Sequence, residues 1–158
     1  MKGVFGLEGS TDLHRKLKWE FATLSKDPKN PYLAFNFFVT AWHLLEWVYP
    51  GTENKEQRTG MREANPILKV CEHLAVGAKH FEATRKRINS VNTTGEGGVW
   101  AEGVWAKGVW RDGVWATWLV VHLDGEAKEA FGERKKVMDL AKAAMEFWEG
   151  ELGNPDAA

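Results

Sequence analysis

Leu13, Leu17, Phe21 and Leu24 recur at steps of four, four and three, which places one apolar stripe along a helix. Ser10-Thr11-Asp12 supplies the polar start of that helix. The run Asp27-Pro28-Lys29-Asn30-Pro31 breaks it, and Asn30-Pro31 opens a second helix. Asn accepts from the free N–H groups of a helix start, and Pro fits the first helical position. This second helix extends to about Val48 and is apolar on most of its circumference, so it is expected at the centre of the core. Pro50-Gly51 ends it. Residues 52–64 are polar and read as a surface connection with room for a short helix. Asn65-Pro66 repeats the start signal, and Ile67, Cys71, Leu74 and Ala78 mark a third helix to about Arg87. Residues 89–98, rich in Asn, Thr and Gly, read as loop.

Residues 98–117 then repeat Gly-Val-Trp four times with a period of five. Five matches neither the strand period of 2 nor the helix period of 3.6. A glycine at every fifth position permits turns or bulges, so an irregular, twisted or looped β segment is expected. Residues 116–123 form a strand pattern, and Asp124-Gly125 is a hairpin dipeptide with a return strand expected over 128–131. A last helix is expected over 133–152, with Val137, Leu140, Ala141, Ala144 and Trp148 as its stripe and Gly153-Asn154-Pro155 as its stop. The elements add up to an α+β fold in a single domain over 1–158. It comprises a bundle of about four helices (10–90 and 133–152) and a Trp-repeat and β-hairpin segment (98–131).

Composition narrows the function classes. Lys and Arg number 21 against 22 Asp and Glu, which excludes a chain built as a whole to neutralise phosphates. Charge is uneven: residues 1–95 carry 14 basic and 10 acidic side chains, whereas 96–158 carry 7 and 12. The single cysteine, Cys71, excludes an internal disulfide and lies in an apolar helical pattern, as a buried thiol would. No signal-peptide core opens the sequence, and a reducing, cytoplasmic setting is expected. Residues 31–49 are the one membrane candidate, but Asn36, Thr40, His43 and Glu46 interrupt them.

Three constellations could carry chemistry. Asn36, Thr40, His43 and Glu46 share one face of the second helix, at steps of four, three and three. This line reads either as a buried site with His43 as base and Glu46 as its partner, or as a polar seam against another helix or subunit. The third helix bears Glu72, His73, Lys79 and His80, followed by Arg85-Lys86-Arg87, a run that could touch phosphates or simply solvate a helix end. His43, Glu46, Lys79 and His80 are the catalytic candidates; no spacing matches a standard metal site, and neither metal nor cofactor is expected. Trp100, Trp105, Trp110 and Trp115 are candidates for a partner surface, an oligomer interface or core. Glu102, Lys107, Arg111 and Asp112 among them are of mixed sign, favouring a protein partner or self-association over a polyanion.

The stretches Asn36-Phe37-Phe38-Val39-Thr40-Ala41-Trp42-His43-Leu44-Leu45-Glu46-Trp47 and Cys71-Glu72-His73-Leu74-Ala75-Val76-Gly77-Ala78-Lys79-His80-Phe81 resemble two signatures of a widespread family of small bacterial and prophage proteins without an assigned activity. Members carry a Leu-Ala-x-Gly-x-Lys-His element, Gly-aromatic five-residue repeats, a strand and a helix ending in an aromatic-Trp pair, which Phe147-Trp148 matches. The resemblance covers about 32–150. The helical part is also similar to HEPN domains, which include dimeric RNases of phage-defence systems. Arg87 and the following spacing fit their Arg-to-His motif, but Asn92 stands where the motif has His. The expectation is a non-enzymatic, homo-oligomeric interaction protein in phage–host conflict, with an HEPN-like RNase or RNA-binding protein as the alternative.

Overall fold

The computed structural model describes residues 5–80, 90–98 and 117–154, with backbone alone at 78–80, 96–98 and 117. Among these are six helices and three strands: α1 (Ser10–Lys26), α2 (Pro31–Val48), α3 (Lys55–Ala64), α4 (Pro66–His80), β1 (Val91–Gly98), β2 (Thr117–Leu123), α5 (Gly125–Phe131), β3 (Arg134–Lys136) and α6 (Val137–Leu152). The architecture is α+β, with an antiparallel sheet in the order β1-β2-β3.

The start signals work as local chemistry requires at α2. The Asn30 side chain accepts from the Tyr32 and Leu33 N–H groups at 3.1 and 3.3 Å, with Pro31 at the first position. At α1 the device is different. Gly9 stands at the cap without a side chain to offer, and Asp12 reaches back to accept from the Glu8 N–H at 3.0 Å. Asn65 before α4 also differs from Asn30: its amide donates to the Met61 carbonyl at 2.7 Å, closing α3.

The core is built around α2, which packs against α1 on one side and α4 on the other, with α6 laid against all three. Leu13, Leu17 and Leu24 of α1 meet Phe37, Ala41, Leu44 and Leu45 of α2, and Leu68, Val70 and Cys71 of α4 continue the cluster. Phe37 holds Phe38 edge-on at a centroid separation of 5.2 Å. The expected α6 stripe of Val137, Leu140, Ala141, Ala144 and Trp148 is buried throughout. Gly153 follows at φ 73°, a left-handed conformation that glycine adopts without a Cβ clash, and stops the helix.

Four expectations are corrected. Within the expected loop, 91–98 instead form β1, because β2 supplies a full antiparallel ladder that outweighs the low strand propensity of Gly and Asn. A bulge at Asn92 shifts the register between Val91 and Thr93. Asp124-Gly125 is no hairpin turn: Asp124 caps α5, whose Glu126-Ala127-Lys128-Glu129-Ala130 run favours helix and buries Ala127. The return strand is therefore β3 at 134–136, not 128–131, and the last helix begins at Val137, not 133. Residues 52–64 contain the ten-residue α3, pinned to the end of α2 by Arg58, which donates to the Tyr49 and Gly51 carbonyls at 2.5 and 2.6 Å.

Candidate functional site

The covered arc of α2 comprises Ala34, Phe37, Phe38, Thr40, Ala41, Leu44 and Leu45. The opposite arc faces outward and is also largely apolar. Tyr32 is 79% exposed and Phe35 50%, Val39 and Trp42 are half-buried, and His43 and Glu46 lie in solvent. A helix that is apolar all round normally has every face covered; here one apolar face is left open by the described residues. Tyr32, Phe35, Val39, Trp42 and Glu46 follow the three-four spacing of a heptad seam, the signal in the sequence that marks this face. Residues 31–48 contain neither Lys nor Arg. Trp19, on α1, is a further large exposed apolar side chain at 66%.

Of the two readings of the polar line on α2, the buried site is the one corrected. It does not run through the core: Asn36, His43 and Glu46 are exposed, and Thr40 alone is buried. His43 Nδ1 and Glu46 Oε2 are 3.7 Å apart, too long for a hydrogen bond, with side chains more than half exposed. Thr40 instead accepts from Lys16 Nζ at 2.7 Å, and the same ammonium donates to Glu20, a buried carboxylate one turn further along α1. This α1–α2 contact carries one cation and one anion, so the hairpin interior stays neutral.

On α4 the charges do structural work. Glu72 is buried and accepts from Arg62 Nε of α3, while Arg62 also donates to Glu63. Lys69 bridges Glu126 of α5 and Glu63, the latter at 3.1 Å. The Glu126 hydrogen bond is the main cause that holds the Lys69 ammonium above its ordinary pKa, against a smaller opposing effect of burial. Sequence reasoning placed Arg62 in a solvated connection and missed the pair. The available signal was Glu72 itself, an acid lodged between Leu68, Cys71 and Ala75 on an apolar face.

His73 Nδ1 accepts from the Val91 N–H at 2.9 Å and ties α4 to the sheet. Burial pushes its pKa down, with Glu72 opposing. Cys71 is fully buried, and its thiol is pushed up to about 12 by that burial. A nucleophilic thiol needs the opposite environment.

The backbone of α4 carries Lys79 and His80, but their side chains lie outside the described residues, as do Arg85, Lys86 and Arg87 entirely. Trp100, Trp105, Trp110 and Trp115 also lie outside the described residues. The strands on either side of them are described: β1 and β2 are paired up to Gly98 and Thr117. Counted inward along the sequence from that pair, Trp100 and Trp115 are each the second residue, and Trp105 and Trp110 each the seventh. At the base of this segment Lys136 Nζ sits 4.2 Å over the Trp118 ring, a cation–π contact between β3 and β2.

Among the described residues no group of three His, Cys, Asp or Glu side chains gathers to hold a metal ion, and no helix is long and apolar enough to cross a membrane. No family model, curated protein or solved structure matches this chain.

Proposed function

We propose that this chain is a non-enzymatic protein-interaction module that docks through the outer face of α2. The observation that carries this reading is the open seam of Tyr32, Phe35 and Val39 on a helix without a single Lys or Arg. Aromatic side chains of this kind supply large contact area at small entropic cost and anchor interfaces. The lack of cations on that face argues for an apolar protein surface as the partner, and against a phosphate backbone. The single, buried Cys71 fits a cytoplasmic setting. The two signature-like stretches on α2 and α4 suggest a role in phage–host conflict. The Trp repeat, with its mixed charges, is a second candidate surface for the same activity.

The test is partner retention by the full-length chain and two variants, Phe35→Lys and the pair Trp105→Ala with Trp110→Ala, each checked for an unchanged far-ultraviolet circular dichroism spectrum. Loss of complexes with Phe35→Lys supports the α2 face. Complexes that survive Phe35→Lys and disappear with the Trp pair would move the docking surface to the repeat. Survival in both would refute the reading.

A further inference from the structure

We infer that the occupant of the α2 face is a second copy of this chain, packed antiparallel about a two-fold axis at Val39. This rests on the reading of α2 as the docking surface and adds the identity and direction of its partner.

The seam has a centre. Tyr32 lies seven residues before Val39 and Glu46 seven after, about 10 Å on either side at a rise of 1.5 Å per residue. A two-fold axis at Val39 sets Tyr32 opposite the partner's Glu46, Phe35 opposite the partner's His43, and Val39 opposite the partner's Val39. Such a patch is self-complementary, as an isologous interface requires. The apolar middle meets an apolar middle, and each polar end meets the other polar end.

Charge fixes the direction. Glu46 is the one acid on α2; its neighbour His43 stands 3.7 Å away, and no Lys or Arg accompanies it on this helix. A parallel pair would set two Glu46 carboxylates side by side, with no Lys or Arg on either helix to offset them. The antiparallel pair separates them and brings each to the start of the opposite helix. That start has no acidic residue in its first turn, and its cap, Asn30, is neutral. A carboxylate is stabilised near a helix N-terminus by the partial positive charge there. The Tyr32 hydroxyl, on a ring 79% exposed, is the donor at that end. The two helix dipoles also oppose each other in this arrangement.

Engineered cysteines test both the partner and its direction, because the native thiol of Cys71 is buried and does not compete. The antiparallel dimer predicts that Val39→Cys cross-links to itself under mild oxidation. Tyr32→Cys and Glu46→Cys should each fail to cross-link alone and should form a mixed disulfide when combined. Phe35→Lys, added to Val39→Cys, should weaken dimerisation at least about tenfold and abolish the cross-link. Self-cross-linking of Tyr32→Cys or of Glu46→Cys, without the mixed product, would mean parallel packing and overturn the inference. A monomeric wild-type mass by native mass spectrometry, with no cross-link from any variant, would overturn it as well. In that case, Phe35-dependent retention of a different protein would leave the interaction reading standing, and retention indifferent to Phe35→Lys would remove that reading too.

Discussion

The indole N–H of Trp148 donates to the backbone carbonyl of Ala41 at 3.1 Å, joining α6 to α2 across 107 positions of sequence. Trp148 is fully buried, and its ring meets Phe147 edge-on at 4.9 Å between centroids. One side chain thus fills the space between two helices and satisfies its own polar atom there. Trp148→Ala should cost roughly 3–5 kcal/mol. For a chain of this size that is a fall of roughly 6–20 °C in Tm. Trp148→Phe should cost distinctly less, since it keeps most of the apolar area and gives up one hydrogen bond of about 1 kcal/mol. Thermal unfolding of the two variants checks the order.

Arg62 and Glu72 are both buried, so removing one leaves the other charge in a poorly solvated place. Arg62→Met should destabilise the chain by about 3–5 kcal/mol. Arg62→Met combined with Glu72→Leu should recover much of that loss, because no charge then stays behind. Urea titrations of the single and double variants measure the coupling. Equal losses in both would mean that the pair is not the reason for the cost.

The stability of the fold should fall as pH drops below about 6.5, the ordinary His value, and His73 should be a cause. Its folded pKa is lowered, so the unfolded chain takes the proton first and is favoured as pH falls through that range. Protonation at Nδ1 also removes the acceptor for the Val91 N–H. His73→Gln should flatten the dependence of Tm on pH below about 6.5. An unchanged slope in that variant would assign the effect to other groups.

Much of this architecture was legible in the sequence. The α1 stripe, the Asn30-Pro31 start, the length of α2 and the α6 stripe all follow from spacing and from caps whose chemistry is local. What was not legible depended on partners distant in sequence. Val91 to Gly98 carries little strand signal of its own and becomes a strand because β2 lies beside it. Asp124-Gly125 offers the same dipeptide to a hairpin and to a helix cap, and burial of Ala127 decides for the helix. Arg62 reads as a solvated charge until Glu72 is placed next to it, ten residues on. The α2 face was misjudged for a simpler reason. Periodicity states which residues are apolar, and it does not state whether every apolar face of a helix finds cover within its own chain.

Cys71 should be inert toward thiol reagents in the folded chain and react fully once it unfolds, given its burial and a thiol pushed up to about 12. Labelling with a chromogenic disulfide reagent across a urea gradient should therefore trace global unfolding. Rapid labelling of the native chain would contradict the packing around α4.

Native mass spectrometry of the full-length chain beside its Phe35→Lys variant bears on the α2 surface most directly. The wild type should appear as a dimer and the variant as a monomer with an unchanged fold. Equal masses for the two, whether both monomeric or both dimeric, would contradict an α2 face that binds a second copy.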